Sequence, residues 1–65
     1  MQKFGNFTTY EYQYCRYDLE DPLWYMSFNR EVNELGQDCW ELVSTNIDIR
    51  SNLWAFFKRA TTWAD

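Results

Sequence analysis

The sequence predicts an α+β domain in which one amphipathic helix covers one face of a three- or four-stranded antiparallel sheet, in the order β-α-β-β. Apolar residues recur at intervals of four, four and three from Trp24 to Leu35, which is the spacing of one helix face. One stretch before this helix and two stretches after it alternate with a period of two, as strands do.

The first predicted strand covers residues 10–17. Tyr10, Tyr12 and Tyr14 fall on one face of it, opposite the row that contains Cys15. Because phenol rings bury well when the hydroxyl reaches the rim, we expect the tyrosine row to pack against the helix. A tyrosine-lined ligand pocket is the alternative.

The predicted helix covers residues 22–35. Asp21 suits the N-cap and Pro22 suits the first helical position, where a missing N–H costs nothing. The acidic turn at residues 18–21 favours the positive end of the helix dipole, and we interpret it as capping rather than as a cation site. Gly36 is expected to end the helix in the left-handed conformation.

Two further strands are predicted at residues 40–45 and 53–59, joined by a hairpin loop at residues 46–52 that is rich in turn formers. Both faces of the last strand are largely apolar, as in a strand that is covered on two sides. We expect Leu53, Ala55 and Phe57 to lie beneath the helix together with Tyr12, Tyr14, Trp40 and Leu42. The chain is predicted to be one domain, with residues 1–9 as an N-terminal arm or a short edge strand and residues 60–65 as a tail.

Three segments resemble a small domain-of-unknown-function family with the signature W-E-Y-K-V, E-L-G-x-x-G-W-E-L-V and F-K-R. They are Y-E-Y-Q-Y at residues 10–14, E-L-G-Q-D-C-W-E-L-V at residues 34–43 and F-K-R at residues 57–59. Cys39 stands where the family usually has a glycine. The resemblance implies a small sheet covered by one helix; it implies no catalytic residue, because the family has no established activity.

The aromatic content exceeds what so short a chain is expected to bury. Its 65 residues include four Trp, five Tyr and five Phe. At about 150–250 Å² per buried ring, these side chains represent roughly 2,000–3,500 Å². A single helix on a sheet offers one core, so a monomer would expose a large apolar patch. We therefore expect a homo-oligomer, a dimer or larger; a surface for a partner or ligand is the alternative.

Charge and composition argue against several functions. A net charge of −4 disfavours duplex nucleic acid, although not a small anionic ligand. With no histidine and two cysteines, the chain lacks a standard zinc site and a Ser-His or Cys-His pair. We expect no enzyme activity, no metal, no cofactor and no disulfide between Cys15 and Cys39. No apolar run suits a membrane span or a secretion signal, so a cytoplasmic protein is expected.

The sheet face away from the helix is predicted to be the assembly surface. It should present Cys15, Tyr17, Val43, Trp54 and Phe56, and we assign the interface to Cys15, Val43, Trp54, Phe56 and the tail residue Trp63. A second hypothesis is an aromatic-and-arginine pocket for a nucleotide, built from Arg16, Tyr17, Arg50, Trp54 and Arg59. Scattered solubilising charges are the simpler interpretation of these arginines.

The leading functional hypothesis is a non-enzymatic binding protein that acts as a homo-oligomer and sequesters a small ligand or blocks a protein partner. Its short, aromatic-rich chain resembles accessory proteins of phages and mobile elements, and the ligand in that case is a nucleotide signal. A purely structural or regulatory interaction module is the alternative. A redox protein that uses Cys15 or Cys39 is more remote, because the end of a helix does not activate a thiol.

Overall fold

Three antiparallel strands and one helix form the part of the chain that the computed structural model describes, residues 6–64 for the backbone and 9–61 for the side chains. The elements are β1 (Asn6–Asp18), α1 (Trp24–Gln37), β2 (Glu41–Ile47) and β3 (Asn52–Ala64). The strands form one sheet in the order β1-β3-β2, so that β3 is central. The predicted α+β class and the order β-α-β-β are confirmed.

The two outer segments of the chain belong to the sheet. β1 and β3 each contain 13 residues and pair without interruption from Asn6 opposite Ala64 to Asp18 opposite Asn52. The prediction of a separate arm and tail is therefore wrong for residues 6–9 and 60–64. Threonines lie opposite each other there, and β-branched residues favour strands. Because β2 pairs with β3 only as far as Lys58, β1 and β3 continue beyond it as a two-stranded ribbon.

The core lies between α1 and the sheet and is small. Its buried residues are Tyr17, Leu53, Ala55 and Phe57, of which Phe57 is only 1% exposed. The half-buried side chains that pack against this core include Trp24, Phe28, Val32, Leu35 and Trp40. This confirms the predicted helix stripe and the predicted helix-facing row of β3. Burial of the Phe57 ring contributes about 1.5–3 kcal/mol.

The faces of β1 are the reverse of the prediction. Cys15 lies opposite Ala55 and Tyr17 opposite Leu53, and residues that face each other across a ladder share a face of the sheet. Cys15 and Tyr17 therefore face α1, whereas Tyr10, Tyr12 and Tyr14 lie on the far side. The expectation that the tyrosine row packs beneath the helix is wrong, because the register with the apolar row of β3 decides the face.

The start of α1 also differs from the prediction. The helix begins at Trp24, and Leu23 occupies the N-cap position without a side-chain cap. Asp21 instead stabilises the turn before the helix. Its Oδ1 accepts a hydrogen bond from the Leu23 N–H at 2.9 Å, and its carbonyl accepts one from the Trp24 N–H at 3.1 Å. Asp21 as N-cap and Pro22 as first helical residue are therefore wrong, because Asp21 closes an Asx turn.

The end of α1 lies beyond Gly36, the predicted stop. The Cys39 N–H donates to the Gly36 carbonyl at 3.0 Å and the Trp40 N–H donates to the Leu35 carbonyl at 2.9 Å. These two bonds, with Cys39 at φ 70°, form a Schellman motif. The left-handed residue is thus Cys39, at the position where the resembled family has glycine. A side chain in this conformation costs about 1–2 kcal/mol.

Two substitutions test this helix end. Gly36→Ala is expected to raise the free energy of unfolding by up to about 1 kcal/mol, because Gly36 is helical and an added Cβ meets no atom within 4 Å. Cys39→Gly is expected to raise it by about 0.5–1 kcal/mol by relieving the left-handed strain. Urea denaturation at one protein concentration measures both.

Cys39→Ala is the matched control, since it removes the thiol but keeps a Cβ in the left-handed conformation. It should leave the unfolding free energy nearly unchanged. Destabilisation by Gly36→Ala would contradict the assignment, because that result is expected only if Gly36 itself adopts a positive φ.

Candidate functional site

The sheet face opposite α1 carries a continuous group of aromatic side chains. We call it the aromatic face and define it by Tyr10, Tyr12, Tyr14, Trp54 and Phe56. Tyr12 is 71% exposed, Tyr14 is 64% exposed and Phe56 is 39% exposed. No element among the described residues packs over these rings. Of the residues that the sequence predicted on this side of the sheet, Trp54 and Phe56 are part of this face, and the tyrosines of β1 join them.

The rings of the aromatic face contact one another in a fixed arrangement. The ring of Tyr14 lies 5.7 Å from that of Trp54 and 6.2 Å from that of Phe56, with interplanar angles of 49° and 44°. Such tilted pairs contribute about 0.5–1.5 kcal/mol beyond their buried area. At the other end, the Lys58 ammonium lies 4.8 Å from the centre of the Tyr10 ring, a cation–π contact. Four of the five rings, those of Tyr10, Tyr14, Trp54 and Phe56, are thus each in contact with a neighbouring side chain.

The exposed area of the molecule is large for its mass. A compact chain of this size is expected to expose about 4,500 Å², whereas this one exposes 5088 Å². The cause is its shape, which measures 53 × 25 × 10 Å, because a single thin sheet with one helix leaves the second sheet face open. Tyr10, Tyr12, Tyr14 and Phe56 alone expose roughly 400–500 Å² of ring surface. A patch of this size is often functional.

The β2–β3 hairpin loop fixes one end of the aromatic face through Asp48. The Asp48 carboxylate accepts four hydrogen bonds. The backbone N–H groups of Arg50 and Asn52 donate to Oδ1 at 2.8 and 3.0 Å, and Asn52 Nδ2 donates to Oδ2 at 3.2 Å. Trp54 Nε1 donates to the same Oδ2 at 2.9 Å. These hydrogen bonds, of which the one from the Trp54 indole has the largest effect, hold the pKa of Asp48 well below its usual range.

The helix side of the sheet has different chemistry. Two shallow clefts of about 240 and 300 Å³ flank Glu31 between α1 and β1. The Tyr17 hydroxyl donates a hydrogen bond to Glu31 Oε1 at 2.7 Å. Burial of the hydroxyl, and to a smaller extent this hydrogen bond, raises the pKa of Tyr17 above its ordinary value. The carboxylates that line the clefts are Asp18, Asp21, Glu31, Glu34 and Asp38. This acidic lining disfavours an anionic ligand.

The structure divides the five predicted ligand-binding residues between the two sides of the sheet. Arg16 and Tyr17 both line the cleft beside the start of α1. Arg16 lies directly opposite Trp54 on the aromatic face, and its Nη1 donates to Asn52 Oδ1 at 3.3 Å. Arg50 is exposed in the hairpin loop. Tyr17 lies on the helix side, so its predicted position beside Trp54 is wrong.

Arg59 lies far from the Arg16–Trp54 pair. It is five residues from Trp54 along β3, roughly 17 Å away, and on the helix side of the sheet. Its guanidinium lies 4.5 Å from the centre of the Trp40 ring and donates to the Asp38 carbonyl at 3.2 Å. It also pairs with Glu11 at 3.1 Å. The donors of Arg59 are thus engaged within the chain, and the five predicted residues do not line a single pocket.

The predicted interface residues are likewise divided. Trp54 and Phe56 lie on the aromatic face as expected, and Val43, 51% exposed, occupies a β-bulge in β2 between Leu42 and Ser44. Cys15 packs against the core, so its placement on the far face is wrong. The side chain of Trp63 lies outside the described residues.

Tyr10, Tyr12 and Tyr14 are the residues of this face that the sequence analysis missed. One signal points to them: the row of Cys15 and Tyr17 leads into Leu19, which also packs against the core. Because Leu19 belongs to the core, the row of β1 that leads to it is the row that faces α1.

Both thiols of the described chain are free, with Cys15 half-buried and Cys39 exposed. Among residues 6–64, no three side chains of the kinds that bind metals lie close enough together to hold an ion. Over the same range, the helix is too short and too polar to cross a membrane.

No protein-family model, no curated protein and no solved structure matches this chain. The resemblance in residues 10–59 to a domain-of-unknown-function family therefore stays a prediction.

The Asp48 network predicts a specific loss of stability in acid. Because the folded-state pKa of Asp48 is depressed, its contribution is present above the unfolded-state pKa of about 3.9 and is lost as the pH falls below that value. Asp48→Asn keeps one acceptor oxygen in place of two, so it cannot accept from both the Trp54 indole and the backbone N–H of Asn52, and the variant should unfold at a lower temperature at neutral pH. Its melting temperature should also fall less steeply in acid than that of the native chain.

Thermal unfolding followed by circular dichroism across this pH range measures the effect. Asp38→Asn is the matched control, since Asp38 is an exposed carboxylate at the other end of the molecule. Parallel pH profiles for Asp48→Asn and the native chain would contradict the role given to Asp48.

Proposed function

We propose that this chain is a small non-enzymatic binding protein that acts as a homo-oligomer, with the tyrosines of the aromatic face at the contact between copies. In this role it sequesters a small ligand or blocks a protein partner, as a phage accessory protein would. The observation that carries the proposal is the uncovered group of rings centred on Tyr14, between Trp54 and Phe56.

The composition of the aromatic face supports a binding role. Tyrosine and tryptophan are enriched among the residues that dominate binding energy, because they bury large areas with few rotatable bonds. Two cations lie beside the rings: Arg16 is opposite Trp54, and Lys58 is opposite Tyr12 with its ammonium over the Tyr10 ring. Aromatic residues and arginine are enriched at protein interfaces.

The cysteines have structural explanations that favour a binding protein over a redox protein. Cys15 packs against the core beside Tyr17. Cys39 occupies the left-handed position of the helix end, so its place in the chain is set by backbone geometry. The chain also contains no histidine to act as a general base towards either thiol. A structural or regulatory module remains the alternative, and it differs only in lacking a small-molecule site.

The mass of the protein in solution tests the proposal. The native chain should sediment as a dimer or larger assembly of the 8.0 kDa protomer at micromolar concentration. The double variant Tyr12→Lys, Tyr14→Lys should shift towards the monomer, because it places like charges among the rings that meet. Circular dichroism should show the same fold, since both side chains are largely exposed in one protomer.

The double variant Tyr25→Lys, Ile49→Lys is the matched control. Tyr25 is 49% exposed on α1 and Ile49 is fully exposed in the hairpin loop, so both lie outside the aromatic face. The control should keep the native mass. A native chain that remains at 8.0 kDa over the whole concentration range would overturn the homo-oligomer.

Arg16 supports a second candidate, the sequestration of a nucleotide. It lies opposite Trp54, whose ring contacts Tyr14, so a guanidinium and two stacking surfaces share one end of the aromatic face. Arginine binds phosphate through two parallel hydrogen bonds, and a tryptophan ring stacks a base. Among the residues that the structure describes, Asn52 accepts a long hydrogen bond of 3.3 Å from the Arg16 guanidinium, and a phosphate group can displace it.

Thermal-shift measurements with linear and cyclic nucleotides test this candidate. At least one nucleotide should raise the melting temperature of the native chain. Arg16→Gln should reduce that shift, whereas Arg30→Gln, on the outer face of α1, should keep it. The absence of any shift with every nucleotide would remove this candidate and leave the homo-oligomer untouched.

A further inference from the structure

The outer edge of β1 is a long strand edge with unused hydrogen-bonding groups. β1 is an edge strand of 13 residues whose pairing with β3 has no register shift. Between Thr9 and Tyr17, no described residue forms a backbone hydrogen bond to its outer side. Such an edge is a template for another strand.

The edge of β1 is less protected against pairing than the edge of β2. A short strand, a bulge, a proline or a charged side chain, lysine above all, normally blocks pairing at an exposed edge. Residues 9–17 of β1 contain two charged residues, Glu11 and Arg16, but neither proline nor lysine, and the ladder has no bulge there. β2, the other edge of the sheet, has only seven residues and a bulge between Leu42 and Ser44. Of the two edges, β1 is therefore the one suited to pairing.

The geometry points to a second copy of this chain as the strand that pairs with β1, in an antiparallel arrangement centred on Tyr12. This inference rests on the proposed homo-oligomer and names its interface. The two sheets then join as one six-stranded sheet in the order β2-β3-β1-β1-β3-β2. A two-fold axis perpendicular to the sheet places both helices on one side and both aromatic faces on the other.

The sequence of β1 is self-complementary about Tyr12. Residues 10–14 read Tyr-Glu-Tyr-Gln-Tyr, so an antiparallel partner places Tyr12 opposite itself and Tyr10 opposite Tyr14. Glu11 then lies opposite Gln13 of the other copy, an uncharged partner. A two-fold centred on Glu11 is disfavoured, because two carboxylates would lie directly opposite each other. The pattern fits a copy of this chain better than an unrelated strand.

The pairing also accounts for the high exposure of the tyrosines in one protomer. Tyr12 and Tyr14 stand at the outer strand, where each has neighbours on the β3 side only. A second β1 provides the missing cross-strand neighbours, and aromatic pairs across a ladder stabilise the pairing. The tyrosine rows of the two copies would then form one continuous aromatic surface across the dimer.

Disulfide trapping tests the interface directly. In a background with Cys15→Ala and Cys39→Ala, Tyr12→Cys should form a covalent dimer with oxidised glutathione, because Cα atoms directly opposite each other in an antiparallel pair lie about 4.5–5.5 Å apart, a separation that a disulfide spans. Gln13→Cys, on the same strand, and Asn46→Cys, on β2, are the controls. Both should cross-link at least several-fold more slowly.

Phe56→Lys separates edge pairing from face-to-face packing. Phe56 lies on the central strand, so the substitution disrupts the aromatic face and leaves the β1 edge intact. Edge pairing predicts that Phe56→Lys keeps the dimer mass. Dissociation of Phe56→Lys together with no excess cross-linking of Tyr12→Cys would overturn the edge interface and retain the homo-oligomer. A monomeric native chain would overturn both proposals and leave the edge to a strand of another protein.

Discussion

The pairing register of β1 against β3 decides on which side of the sheet each ring of β1 lies. Because side chains alternate, a slip by one residue would carry the tyrosine row beneath α1 and Tyr17 into water. Tyr17 opposes that slip: its ring packs edge-on against Phe28 at 5.4 Å and its hydroxyl bonds to Glu31. The Leu19 N–H also bonds to the Ser51 carbonyl at 2.8 Å, which fixes the end of β1 to the hairpin loop. The uncovered aromatic face is a consequence of this register.

Arg59 secures the opposite end of the same register. It joins Glu11 of β1 to Asp38, the residue that follows α1, and its guanidinium lies over Trp40. A cation near the C-terminus of a helix also interacts favourably with the helix dipole. Since the ion pair is partly exposed, it contributes at most about 1 kcal/mol. The main effect of Arg59 is geometric, because this one side chain connects β1, the end of α1 and Trp40, the residue before β2.

The sequence predicted those features that depend on local periodicity and missed those that depend on pairing between distant segments. The helix stripe, the element order and the two faces of β3 follow from spacing alone. The faces of β1 do not, because both of its rows carry aromatic or apolar residues and only the register with Ala55 distinguishes them. The prediction that the helix ends at Gly36 was wrong for a related reason. Glycine propensity favours Gly36, but docking of Leu35 and Trp40 on the core places the left-handed turn at Cys39.

Three side chains of the aromatic face are exposed or half-buried and yet are held in place by their neighbours. Asp48 holds the Trp54 indole, Trp54 contacts Tyr14, and Tyr14 contacts Phe56, so the position of each ring is limited by the next. Fixing a free side chain on binding costs about 0.5–1.5 kcal/mol, and a ring that is already held avoids much of that cost. In one protomer, however, Tyr12 is 71% exposed and gains little from burial. These rings gain the free energy of burial only when another molecule covers them.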